Sequence, residues 1–216
     1  MIKNEISLYE KKKWNLGCSQ LSNVDPILKK IMESYPKNRM VTHRNALETL
    51  IRSIIGQQIS IKAAESIWKK VCKHITIVST EQFASLSVAT LTSCGLSKPK
   101  ALYIKNIVAY FQKSVSDSNY FLLKDKKTIE TELLSIKGIG QWTVDMFMIF
   151  HLCYSDILPI TDIGLLNAIK IQYKLEHSNK KDLQNHILEL SQHWKPLRTI
   201  ATWYLWRTID SKLVVY

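Results

Sequence analysis

Asp162 is the residue around which chemistry can be built. It stands in Pro159-Ile-Thr-Asp162-Ile-Gly164, at the head of a stripe made by Ile163, Leu165, Leu166 and Ile169. Upstream, residues 134–144 read Leu-Ser-Ile-Lys-Gly-Ile-Gly-Gln-Trp-Thr-Val, with Gly138 and Gly140 two apart. Glycines in such a turn let an anion approach the backbone closely. The amides of a helix opening at Thr143 and Val144 would point back at that turn, and a helix start lined with amides is an anion site. Lys137 adds a cation beside it. A grip of this kind holds phosphate without reading base sequence. A carboxylate just beyond it can stabilise positive charge that develops in a transition state, and can orient or deprotonate a water. Each piece also has a plainer reading. Asp162 is a good N-cap, and glycines commonly close helix ends.

Helical spacing recurs along the chain, and strand-like alternation is scarce. Ala46, Leu47, Leu50, Ile51, Ile54 and Ile55 form one stripe over 45–55. Ser60 caps a helix over 61–72, with Ile61, Ala64, Trp68 and Val71 on its apolar face. Ser97 followed by Pro99 opens 99–112, where Ala101, Ile104, Val108 and Phe111 face inward. The pattern predicts further helices near 24–34, 80–92, 128–135, 141–151, 163–171, 180–191 and 196–208, with 113–127 as a polar connector. The expected fold class is all-α and two-lobed.

Composition narrows the setting. The 216 residues are 46% hydrophobic, enough for one substantial core or two joined lobes. A net charge of +12 favours a polyanionic partner, while the 22% charged fraction argues against a disordered basic tail. Cys18, Cys72, Cys94 and Cys153 show no CxxC pair and no late cluster for an iron–sulfur centre, so they read as reduced, buried thiols. The N-terminal residues lack the apolar run of a signal peptide, and no stretch is long enough to span a membrane. The expected compartment is cytoplasmic, nucleoid-associated in a bacterium, or nuclear in a eukaryote.

Together these motifs resemble the helix–hairpin–helix superfamily of DNA glycosylases, and within it the alkylation-repair branch, DNA-3-methyladenine glycosylase II, in a short form without the N-terminal β-rich domain of longer members. The likeness covers about residues 24–208. Beyond the hairpin and Asp162 it includes Ile54-Ile55-Gly56-Gln57-Gln58-Ile59-Ser60 with Ala63-Ala64, Gly95-Leu96-Ser97 with Lys100-Ala101, Trp194-Lys195-Pro196-Leu197-Arg198-Thr199, and Trp203-Tyr204-Leu205-Trp206-Arg207. The resemblance implies one glycosylase domain over 1–216, with a short N-terminal extension over about 1–23 and an active-site cleft between two helical lobes.

The resemblance also assigns roles. Asp162 is the catalytic carboxylate. Lys137, Gly138, Gly140 and Thr143 bind DNA. Gln58 falls where the family inserts a wedge into the gap left by a flipped base, whereas Gln57 and Gln58 as helix-end caps is the plainer alternative. Trp206 falls where a tryptophan stacks on the extruded base, and Trp203 reads as core. Trp142 stands where strand-nicking relatives carry a nucleophilic lysine, which implies a monofunctional enzyme. Its indole is either a wall of the base pocket, attractive to a cationic alkylated purine, or core packing beside Met146 and Ile149. Met146 replaces a pocket tyrosine used by some relatives.

Backbone carbonyls of Leu134, Ile136 and Ile139 are expected to hold a structural Na+ or K+, with no other cofactor and no iron–sulfur cluster. Lys100 and Arg198 read as structural or phosphate contacts. The implied partner is double-stranded DNA with alkylated bases, met by a monomer whose product passes to an abasic-site endonuclease. Two rivals share these features: a non-catalytic damage-binding module, and a glycosylase for deaminated or ethenylated bases.

Overall fold

In a computed structural model, which describes residues 11–36, 39–40, 45–115, 117, 119–176 and 179–209, every regular element is helical. The helices are α1 (Lys11–Val24), α2 (Pro26–Ser34), α3 (Ala46–Gly56), α4 (Ile61–Cys72), α5 (Thr80–Ser85), α6 (Val88–Ser93), α7 (Lys98–Ser114), α8 (Lys126–Leu134), α9 (Gln141–Phe150), α10 (Ile163–Gln172), α11 (Lys180–Leu190) and α12 (Arg198–Ile209). A 3-10 turn, Ser191–Trp194, leads into α12. Two compact units result. One gathers α1, α2 and the chain from Cys153 onward; the other holds α3 to α9 and ends at Leu152. Residues 1–10 of the expected extension lie outside the described residues.

The second unit is built on α9, which is buried from Thr143 to its end. Val144, Met146, Phe147, Ile149 and Phe150 are all buried, as a helix surrounded by others requires. Helices α3 and α8 pack on α9, and α7 packs on α3. The expected caps are present: Ser60 accepts from the Ala63 amide and Ser97 from the Lys100 amide. The segment 80–92, expected as one helix, is two. Leu86 is extended, Ser87 accepts from the Thr90 amide to start α6, and Lys105 of α7 donates to the Ala84 and Leu86 carbonyls that the break exposes, at 2.7 and 2.9 Å. The polar connector after α7 carries a buried anchor, Phe121, edge-on to Phe147 at 4.9 Å between centroids.

The first unit packs α12 against α10, α2 and α1. Trp203 is core, as expected, and meets Trp14 of α1 edge-to-face at 5.3 Å. Thus most of the segment expected as an extension is a docked helix. All four cysteines are free; Cys94 and Cys153 are buried, and Cys18 and Cys72 are half-buried. Among the described residues, no helix is long and apolar enough to cross a membrane.

A buried acid holds this unit together. Asp25 caps α2 through Oδ1, accepting from the Ile27 and Leu28 amides at 2.9 Å each. Its Oδ2 accepts from Tyr173 Oη at 2.6 Å and Trp194 Nε1 at 2.7 Å, with His193 Nε2 at 3.2 Å. Burial alone would raise the carboxyl pKa, but the donors, led by Tyr173 and the Leu28 amide, outweigh it and hold the pKa below the ordinary value. A pKa depressed on folding stabilises the native state above the unfolded-state pKa, and that stability is lost as pH falls through the folded value. Asp25→Asn keeps the cap oxygen but turns an amide toward the Oδ2 donors. We expect it to cost about 1–3 kcal/mol at pH 7. Thermal melts of both proteins should begin to converge as the pH falls past the ordinary carboxylate value, about 4, and meet only below the lower value of the folded carboxyl. A melting difference that persists unchanged into acid would show that charge is not what Asp25 contributes.

Candidate active site and nucleic-acid interface

In the first unit, the loop before α10 is tied down at several points. Thr199, at the start of α12, donates its hydroxyl to the Tyr154 carbonyl at 2.6 Å and accepts from the Ile157 amide at 3.0 Å. Arg198 makes a two-pronged bond to Asp156, Nε to Oδ1 at 2.6 Å and Nη2 to Oδ2 at 2.8 Å. Of the two roles open to Arg198, the structural one is therefore filled. Gln184 of α11 donates to the Ile160 carbonyl, and the Asp162 amide closes a turn onto the Pro159 carbonyl.

This loop delivers Asp162 to the mouth of α10. Its Oδ1 accepts from the Leu165 amide at 2.6 Å, so the N-cap reading holds. The same oxygen accepts from Trp206 Nε1 at 3.1 Å. Both side chains are half-buried. A Cβ on Gly164 would stand 3.2 Å from Oδ1, so the bare residue leaves room for the carboxylate. The acid is thus fixed by a backbone amide and an indole at one oxygen, with the indole ring beside it. That arrangement offers a rigid negative charge next to a flat aromatic surface. The sequence places both residues at a site but does not show the bond between them.

In the second unit, the hairpin runs from the end of α8 to the start of α9. Ile136 and Ile139 are buried anchors, while Lys137 and Gly140 are exposed. Gly138 has φ +107 and lies over Tyr103 of α7, and Asn106 of α7 donates to the Lys137 carbonyl at 3.0 Å. Helix α9 starts at Gly140 with no side-chain cap, unlike α2 to α8, α10 and α11. A helix start without a side-chain cap is a place where an anion can bind. The Thr143 side chain does not face outward as a DNA contact. Thr143 is buried, its hydroxyl accepts from Gln57 Nε2 at 3.0 Å, and its amide and that of Val144 both bond the Gly140 carbonyl. Trp142 is half-buried, and Met146, one turn later, is buried.

The loop after α3 lies in the same unit. Gln58 and Ile59 are exposed, and Gln58 has φ +57, a conformation unusual for a residue with a side chain. Gln57 has two jobs: its backbone closes α3, as the capping reading expected, and its side chain reaches the hairpin. Lys100 Nζ donates to the Ile55 and Gln57 carbonyls at 2.8 and 2.7 Å, which makes it a structural contact. Leu134 is exposed, and the Ile136 carbonyl accepts from the Ile139 amide at 3.0 Å. Among the described residues, no group of three or more His, Cys, Asp or Glu side chains could hold a metal ion.

Residues 51–193 match the profile of the HhH-GPD superfamily of base excision DNA repair proteins. DNA-3-methyladenine glycosylase 1 of Schizosaccharomyces pombe is 31% identical over 194 residues, covering 88% of this chain and 82% of that protein. The DNA-3-methyladenine glycosylase of Saccharomyces cerevisiae is 28% identical over 235 residues, with 97% and 77% coverage. Among solved structures, a 3-methyladenine DNA glycosylase of S. pombe in complex with abasic DNA superposes with a TM-score of 0.79 at 27% identity, over 89% of this chain and 95% of that one.

Proposed function

Because this chain belongs to the HhH-GPD superfamily of base excision DNA repair proteins, we propose that it is a DNA glycosylase that hydrolyses the N-glycosidic bond of alkylated purines such as 3-methyladenine. The observation that carries the reading is Asp162, held at the mouth of α10 with Trp206 on the same oxygen. As an alkylated base leaves, the sugar gains oxocarbenium character, and a fixed carboxylate stabilises that charge. The same group orients or deprotonates the attacking water. A purine alkylated on a ring nitrogen already carries positive charge. It leaves without a strong acid, and an indole face such as that of Trp206 attracts it.

The glycosidic bond lies inside the duplex, so the base must be extruded first. The hairpin supplies the grip, with Lys137 and Gly140 exposed at its tip, and Gln58 supplies the wedge. The carbonyls of Leu134, Ile136 and Ile139 would hold a Na+ or K+, since carbonyl oxygens suit hard cations. The Ile136 oxygen already accepts one amide and has a second lone pair to offer. When bound, such a cation adds positive charge beside the phosphate grip. With a net charge of +12, DNA binding should weaken steeply with salt through counterion release.

Trp142 decides the fate of the strand once the base is gone. An indole cannot form a Schiff base with the sugar, so the strand is left intact at an abasic site. Incubation with methylated duplex DNA should release free 3-methyladenine, and alkali should then be needed to break the strand. Borohydride should trap no protein–DNA adduct. Failure to release any base from methylated DNA would overturn the glycosylase reading; a trapped adduct would overturn the assignment to hydrolysis alone.

A further inference from the structure

One side chain joins two parts of the second unit that have separate tasks. Gln57 Nε2 donates to Thr143 Oγ1 at 3.0 Å and to the Gly138 carbonyl at 3.4 Å. These acceptors lie on either side of Gly140, in the turn and in the first turn of α9. Thr143 is 1% exposed, so the shorter bond is sheltered from competing water. The next residue is Gln58, exposed and left-handed. Behind it, Lys100 clamps the carbonyls of Ile55 and Gln57. The peptide that presents Gln58 is therefore held by an ammonium on one side and by the hairpin on the other.

We infer that Gln57 is a positioning residue that couples the hairpin's hold on the DNA backbone to insertion of Gln58. Seating a phosphate fixes the hairpin, and the Gln57 amide carries that position to the wedge loop. The inference rests on Gln58 acting as the wedge. The side chain must be a glutamine for two reasons. Asn is one methylene short of the same reach, and Glu would turn a carboxylate on the Gly138 carbonyl. Thr143 fits the same role, since its buried hydroxyl is the better placed of the two acceptors.

The test compares single-turnover excision of 3-methyladenine from two duplexes, one with the lesion paired and one with it opposite an abasic analogue. In the second the lesion is already unpaired, and less wedging is needed. Gln57→Ala should melt somewhat lower than wild type, since it leaves the buried Thr143 hydroxyl without this donor, so the readout is the ratio of its losses on the two substrates. Its excision from the paired duplex should fall about five- to tenfold, the worth of a sheltered hydrogen bond, and fall much less on the unpaired lesion. Thr143→Val should add little in the Gln57→Ala background, because both remove one interaction. Gln58→Gly, which removes the wedge while tolerating the left-handed backbone, should show the same substrate pattern.

Wild-type behaviour of Gln57→Ala beside an impaired Gln58→Gly would overturn the coupling and leave the wedge in place. Wild-type behaviour of Gln58→Gly would remove the wedge and the inference with it. An equal loss on both substrates would make Gln57 merely structural and overturn the coupling.

Discussion

Asp162→Asn should bind methylated DNA about as tightly as wild type and lose at least about a hundredfold in single-turnover excision, the range for removing a group that stabilises charge or activates water. The substitution is informative because the structure separates what Asp162 does for the fold from what it offers to chemistry. Both hydrogen bonds described at its carboxyl, from the Leu165 amide and from Trp206 Nε1, end on Oδ1. Asparagine retains that oxygen and ranks with aspartate as an N-cap. The cap of α10 and the indole's position should therefore survive while the charge is lost. Asp162→Ala removes everything at once: the charge, the Trp206 acceptor, and a cap worth about 1 kcal/mol. It should lose activity and also melt earlier. If Asp162→Asn excised 3-methyladenine at the wild-type rate, the carboxylate would have no part in the reaction, and the residue would be a helix cap alone. Binding to DNA containing an abasic analogue, measured beside the kinetics, distinguishes a lost chemical step from a lost complex.

Legibility in the sequence divides along a physical line. Local signals are legible because their partners are three residues away: Ser60 to the Ala63 amide, Ser97 to the Lys100 amide, Asp162 to the Leu165 amide. Features that need a distant partner are not. Helix α1 buries only Trp14, Gly17 and Leu21, has a glycine mid-helix, and shows little stripe. It forms by docking, with Gly17 so close to α12 that a Cβ there would sit 2.4 Å from Ile200 Cδ1. The break at Leu86 depends on Lys105, about twenty residues on, which takes the exposed carbonyls. At the site, the types of Asp162 and Trp206 are informative, yet their bond spans 44 positions. The family resemblance puts Thr143 among the DNA-binding residues. Its hydroxyl turns inward because Gln57, 86 positions earlier, supplies a donor. Membership in the HhH-GPD superfamily accounts for why motif order is informative where periodicity is not.

The hairpin glycines make the second large prediction, because they should fail for opposite reasons. A Cβ on Gly138 would sit 2.1 Å from Tyr103 Cγ and 2.5 Å from Tyr103 Cβ, so the ring cannot swing clear by rotation alone. The backbone there is also at φ +107, where side chains are disfavoured. Gly138→Ala should therefore displace the hairpin from α7, cost about 1–3 kcal/mol, and lower the melting temperature along with DNA binding. Gly140 differs on each count. Its φ of −109 and ψ of 178 suit any residue, and a Cβ there would have no protein atom within 4 Å. Among the described residues nothing crowds position 140, and its bare backbone leaves the uncapped start of α9 open to approach from outside. Gly140→Ala should keep or slightly raise the melting temperature, since alanine restricts the unfolded chain. Its methyl group would stand in the path of a phosphate reaching the uncapped start of α9. Affinity for undamaged duplex should then fall on the order of tenfold, the loss of a hydrogen bond to a charged group. Melting curves and salt-dependent binding of both variants decide the matter. Wild-type affinity in Gly140→Ala would place the phosphate elsewhere, and an intact melting temperature in Gly138→Ala would show that Tyr103 yields more easily than its packing against α7 implies.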